Sequence, residues 1–199
     1  IKAMSDYYQI EDVGKMTQAL ADMFRYNTKG GEELVTLQDE LEQIEAYMMI
    51  QSVRFGDKIE FIQAVPDELK SLPILKMTLQ PLMENAVFHG MEPKRGKGRI
   101  ELSAAAYEDS IQITVRDDGV GMSAERLEAV RSALDESSYK LDPSVEFRSI
   151  GGIGIVNVYA RYAIRMGDSF EFQIDSEEHS GTIVTMILKR LPQHIHNDD

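Results

Sequence analysis

Ser110-Ile111-Gln112-Ile113-Thr114-Val115-Arg116-Asp117-Asp118-Gly119-Val120-Gly121 is the stretch whose reading decides the fold. Apolar and polar residues alternate from Ser110 to Arg116, the period of a strand with one buried face. The run ends in an acidic pair and two spaced glycines. A strand that stops this way aims a carboxylate into a pocket, and glycine lets a ligand lie against bare backbone. Further on stands Gly151-Gly152-Ile153-Gly154-Ile155-Val156-Asn157, which opens an apolar, helix-like stretch from Ile153 to Met166. Exposed N–H groups at a helix start favour a phosphate. Two glycine-rich turns flanking a polar segment describe one site, with a movable cover over Met122 to Ile150. Its least patterned part is Asp135 to Ser149.

Around this centre, alternation predicts strands at Ile59–Val65, Ile100–Ala106, Phe170–Ile174 and Thr182–Leu188. Helical spacing runs from Leu72 to His89, with Pro81 as a source of local irregularity. Ser123 is placed to cap a short helix reaching Leu134. Two helices open the chain. One carries Val13, Met16, Leu20 and Met23; the other carries Leu34, Leu37, Leu41, Ile44 and Met48. Lys29-Gly30-Gly31 separates them, and Thr36 with Asp39 reads as the second helix's cap. A two-helix hairpin cannot bury such stripes alone, which favours a dimeric bundle over packing on its own domain. Helices mixed with antiparallel strands give an α+β, two-layer sandwich preceded by a helical hairpin.

The chain has 199 residues, 43% of them hydrophobic and 28% charged, enough for a real core. A net charge of −13 lacks the basic footprint of a nucleic-acid binder. It does not forbid a nucleotide, whose phosphates Mg²⁺ and local cations neutralise. With no cysteine there are no disulfides or thiolate metal sites. No apolar run spans a bilayer. The opening Ile1-Lys2-Ala3 reads as the start of a fragment, with any membrane anchor upstream.

Taken singly, the polar candidates are ordinary. Asp-Gly pairs usually mark turns. Gly152-Ile153-Gly154 lacks the βαβ setting of a dinucleotide site, and no P-loop motif occurs. Asn85 stands in Gln80-Pro81-Leu82-Met83-Glu84-Asn85-Ala86-Val87-Phe88-His89-Gly90. Asparagine is a poor helix-interior residue, and its amide oxygen can serve as a hard ligand for Mg²⁺. His89 follows one turn later. His179, His194 and His196 form no metal-ligand pairing, and the last two read as solvated. Lys97, Lys140 and Arg148 read as solvated cations at the rim.

Their order is more telling. An Asn on a helix, Asp-x-Gly-x-Gly after a strand, Gly-x-Gly before a helix and Gly181-Thr182 before a last strand form a four-part constellation. It resembles the Bergerat-type ATP-binding domain of histidine kinases, gyrase, Hsp90 and MutL over about Lys58 to Arg190. The resemblance implies that Asn85 binds Mg²⁺ and that Asp117 takes the adenine amino group. Gly119 and Gly121 match the glycines beside that Asp, Gly152 and Gly154 those at the phosphate end, and Thr182 the residue at the adenine end.

The first part looks like sensor kinases of the YesM/LytS type. Met16-Thr17-Gln18-Ala19-Leu20-Ala21-Asp22-Met23-Phe24-Arg25-Tyr26, the Arg54-Phe55-Gly56-Asp57 ending and Leu79-Gln80-Pro81-Leu82-Met83-Glu84-Asn85-Ala86-Val87-Phe88-His89-Gly90 carry that resemblance. It implies residues 1–56 as a dimerisation hairpin and 57–199 as the ATP-binding catalytic domain. ATP and Mg²⁺ are the implied cofactors, with a response regulator and a second copy as partners. The implied setting is cytoplasmic, with the whole protein in the cell membrane. The family's Pro-His-Phe acceptor segment is absent from this chain, so no acceptor His is assigned. Hydrolysing relatives carry a Glu four residues before the metal Asn; here that residue is Pro81. An ATP-hydrolysing machine and a silent nucleotide-binding scaffold are the alternatives.

Overall fold

The computed structural model describes residues 11–28, 33–139 and 153–189. Helix α1 (Glu11–Thr28) leads to a short strand β1 (Leu34–Thr36) and helix α2 (Leu37–Phe55). Then come β2 (Ile59–Ala64), β3 (Pro73–Leu75) and α3 (Leu79–Asn85), which runs into a π-helical turn, Ala86–Met91. Next are β4 (Gly98–Ala106), β5 (Ile111–Asp117) and α4 (Ala124–Tyr139). The series ends with α5 (Ile153–Met166), β6 (Phe170–Glu177) and β7 (Gly181–Leu188). The five-stranded sheet runs β2-β4-β5-β7-β6. The β2–β4 pair is parallel and the other pairs are antiparallel, so the sheet is mixed. Strand β5 alternates buried and less buried residues as its sequence demands. Helices cover one face, giving the expected α+β two-layer architecture.

Thr36 caps α2 as expected. Its hydroxyl accepts from the Asp39 N–H at 3.1 Å, and the Asp39 carboxylate accepts from the Thr36 N–H at 2.8 Å. Leu34, expected on the helix, instead lies on β1, which pairs with β3 (Leu34↔Leu75, Thr36↔Pro73). The helical spacing from Leu72 correspondingly breaks into a strand and a turn before α3 begins. Pro81 sits within the first turn of α3, where a missing N–H costs nothing, so it does not distort the helix. The irregularity comes later, at the π-helical turn. Ser123 caps α4, its hydroxyl accepting from the Arg126 N–H at 3.3 Å. That helix continues to Tyr139, through part of the stretch expected to lack order. Residues 140–152, with Lys140, Arg148 and Gly152, lie outside the described residues, as do Lys29-Gly30-Gly31, His194 and His196.

The two hairpin stripes meet different fates. Leu37, Leu41, Ile44, Tyr47 and Met48 of α2 are buried in the same core as Leu79, Leu82, Ile100 and Leu102. Burial of each such side chain contributes about 1.5–3 kcal/mol. The α2 stripe is therefore covered by its own chain, not left open for a dimer, and the core crosses the junction at residues 56 and 57. On α1, Leu20 (54% exposed) and Phe24 (68% exposed) remain open to solvent. Between α5 and β6, Tyr159, Tyr162, Phe170 and Phe172 pack ring to ring.

Candidate functional site

A cavity of about 540 Å³ opens where α3, the loop after β5, α4, α5 and the β6–β7 hairpin converge. Asn85 and His89 reach it from the end of α3 and the π-helical turn, Gly121 from the loop, and Thr182 from β7. A π-helical turn widens the backbone by one residue per turn, and such turns recur at functional sites. Here it follows Asn85 directly and brings Gly90 to the cavity wall.

Asp117 lies behind Gly90 and is only 4% exposed. A Cβ on Gly90 would stand 2.5 Å from Asp117 Oδ1, and one on Gly119 would meet the same oxygen at 2.5 Å. Side chains at either position would wall the carboxylate off, so both glycines keep it approachable. Its Oδ1 accepts from the Gly119 N–H at 2.8 Å. Burial drives this carboxyl up to about 6, against the opposing pull of the Gly119 and Thr182 backbones. Its neighbour Asp118 goes the other way. Partial burial pushes it up, but the Lys94 ammonium at 2.8 Å and the Arg99 N–H at 2.8 Å outweigh that and hold it below the usual range. The acidic pair is thus divided: one carboxylate is neutralised at the surface, the other is buried among backbone donors.

The far wall is tied together by Ser176. Its hydroxyl donates to the Gly181 carbonyl at 2.9 Å, accepts from the Met122 N–H at 2.9 Å and lies 3.0 Å from Thr182 Oγ1. Gly121, at φ 65°, passes against the Glu177 carbonyl. Gly154, matched to the phosphate end, packs α5 on α3: a Cβ there would be 2.9 Å from Pro81 Cβ. Glu84 accepts from Gln80 Nε2 at 2.9 Å and is not part of the cavity wall. The structure therefore brings Asn85, Gly121 and Thr182 to one cavity, with Asp117 and Gly119 behind it and Gly154 at the helix crossing. Ser176 escaped the sequence reading, Gly90 entered it only as the end of the Asn85 motif, and Lys94 only as part of a basic loop. Ser176 had one legible signal, its place opposite Thr182 across a hairpin.

An Mg²⁺ ion fits this setting through the amide oxygen of Asn85, a hard ligand on the cavity wall. Among the described residues no group of three acidic or histidine side chains would cage a cation.

Comparison with known proteins accords with this geometry. Residues 72–192 match the family model described as "Histidine kinase-, DNA gyrase B-, and HSP90-like ATPase", and residues 1–59 match one described as "Histidine kinase". The chain belongs to the histidine kinase-, DNA gyrase B- and HSP90-like ATPase family, in its sensor histidine kinase branch. It is 29% identical to the sensor histidine kinase YesM of Bacillus subtilis over 90% of this chain and 28% of that protein. It is 31% identical to the sensor protein kinase HptS of Staphylococcus aureus over 85% of this chain and 30% of that one. The chain thus spans under a third of the length of these relatives. The histidine kinase domain of the Erythrobacter litoralis EL346 blue-light activated kinase shares the fold, with a TM-score of 0.52 at 14% identity. That match covers 89% of this chain and 74% of the other. Among the described residues no helix is long and apolar enough to cross a membrane.

Proposed function

We propose that this chain binds Mg-ATP and supplies its γ-phosphoryl group to a histidine, from which it passes to an aspartate of a response regulator. The observation that carries this reading is the convergence of Asn85, Gly121 and Thr182 on one cavity, with the buried Asp117 carboxylate held just behind Gly90. Asp117 accepts the adenine amino group, which guanine lacks at that position. Thr182 and Ser176 support the same end of the base through hydroxyls or water. Asn85 faces the phosphates. When bound there, Mg²⁺ neutralises charge on the phosphate oxygens. The transfer itself is mostly positioning: an imidazole nitrogen attacks the γ-phosphorus, the bond to the bridging oxygen breaks, and ADP leaves.

The described histidines are poor acceptors. His89 follows Asn85 in the site itself, and His179 sits at φ 67° in the β6–β7 turn. The acceptor is a histidine on a helix supplied in trans. The open face of α1 serves dimerisation, and the whole protein works at the membrane as a sensor. The hydrolysing alternative is disfavoured because Pro81 packs on Gly154 where a water-activating Glu would stand.

Calorimetric titration with ATP, ADP and GTP, with and without Mg²⁺, tests the binding step. ATP and ADP should bind, and GTP should not. Incubation of the chain with γ-labelled ATP and a separate acceptor-helix fragment tests the transfer step. Label should appear on the fragment as acid-sensitive phosphohistidine and not on the chain. Equal binding of GTP, or steady phosphate release without any acceptor, overturns the reading.

A further inference from the structure

Glu40 is 1% exposed, yet no site residue touches it. It projects from the first turn of α2 into the turn that starts α3. Its Oε1 accepts from the Met77 N–H at 2.7 Å, and its Oε2 accepts from the Thr78 and Leu79 N–H groups, both at 2.8 Å. The Tyr26 hydroxyl, in the last turn of α1, donates to Oε1. A buried carboxylate without enough donors is strongly unfavourable, so these four hold one another in place. Met77 at φ 62° is a left-handed non-glycine residue, a conformation that persists only when its surroundings fix it. Lys76 stands 4.8 Å from the centre of the Tyr26 ring, so the ring and its hydroxyl are both engaged with the same turn. Thr78 also reaches α5: its hydroxyl donates to the Leu75 carbonyl and lies 3.0 Å from the Tyr162 hydroxyl.

We infer that Glu40 is a positioning residue for the nucleotide site and that Tyr26 couples it to α1. The carboxylate fixes the start of the helix that ends in Asn85, and the Tyr26 hydroxyl sets how firmly it does so. The inference rests on the proposed nucleotide site for its functional half. Helix α3 has seven residues and is about 10 Å long, too short to absorb a shift at its start before Asn85. Its packing on Gly154 passes the same shift to the opposite wall. Burial and the Glu40 carboxylate hold the Tyr26 phenol well above its usual range, so it remains a donor throughout the physiological range. A rotation or slide of α1 that withdraws this hydroxyl leaves a buried carboxylate one donor short. The Met77 turn then relaxes, and Asn85 moves without any new contact in the cavity.

Tyr26→Phe removes the hydroxyl and keeps the ring, so it is the test variant. Ile111→Val, at the far end of β5, serves as the control for general loss of stability. Hydrogen exchange on the 199-residue chain should show faster exchange across Lys76 to Met91 in Tyr26→Phe and not in Ile111→Val. Affinity for ADP with Mg²⁺ should fall roughly fivefold or more in Tyr26→Phe, the lower end of measured coupling, and stay unchanged in the control. Unchanged exchange in that segment overturns the link. Faster exchange with unchanged affinity overturns the positioning role. If the parent chain binds no nucleotide, the functional reading fails, while the exchange result still decides the link.

Discussion

Asp117 and Thr182 face each other across the β5–β7 ladder, the last pair before the two strands part at the cavity. Gly181, one residue earlier, lies at φ 102°, and any Cβ there would collide with the Asp117 carbonyl oxygen. The hairpin register, not only the side chains, sets the end of the site at which Asp117 and Thr182 meet.

Gly181→Ala should therefore destabilise the fold by about 3 kcal/mol or more, since it combines a disfavoured φ with a backbone collision. Gly96 has φ 87° but open space around it, and Gly96→Ala should cost only about 1–2 kcal/mol. Urea titration of both variants checks the difference. Equal losses would show that the collision is relieved by a small shift of the hairpin.

Asp117→Asn should separate stability from binding. The native carboxyl titrates at about 6 against an ordinary 3.8, so between those values the folded chain holds a proton that the unfolded chain has released. The stability this gives is full below about pH 3.8 and is lost as pH rises through about 6. By pH 7.5 the ionised form carries a penalty of up to about 3 kcal/mol, which an amide escapes. The variant should melt higher than the parent at pH 7.5, with the difference shrinking as pH is lowered. Its ATP affinity should fall tenfold or more, the worth of about 1.5–3 kcal/mol for a bond to a charged acceptor.

Nucleotide binding should also release a proton. A donor placed on Asp117 favours its ionised form and lowers its pKa. Titrations at pH 6 in buffers of different ionisation enthalpy should show about half a proton released per ATP, and almost none at pH 8. Asp117→Asn should abolish the release. Proton uptake would place the base elsewhere.

Asn85→Ala should remove most of the Mg²⁺ dependence of ATP affinity while leaving the preference for adenine over guanine intact. Affinity measured across a magnesium series with ATP and GTP checks this. Loss of base preference alongside magnesium dependence would mean that the variant disturbs the π-helical turn as a whole.

Much of this was legible in the chain, because two-sided alternation leaves little freedom. The β5 pattern specifies a strand, a buried face and the residue at which it ends. The ordered polar motifs likewise contain three residues of the cavity wall, Asn85, Gly121 and Thr182. Other features leave no periodic trace. A three-residue strand such as Pro73–Leu75 is too short for its period to compete with the helical spacing around it. One extra residue per turn after Asn85 changes no residue type. A stripe such as Leu37, Leu41, Ile44 and Met48 declares that a helix face is covered but not by what. Glu40 reads as an ordinary acid in a first turn, where carboxylates are common. Only the fold reveals that it caps a different helix.

The burial of the α2 stripe has a consequence for where this chain can be divided. A joint in a chain is tolerated where few side chains interlock across it. A joint at Gly56 would strip Leu37, Leu41 and Ile44 from the core and take Glu40 from the start of α3. The second hairpin helix therefore belongs with the sheet it covers, and any excised form of that unit should keep it.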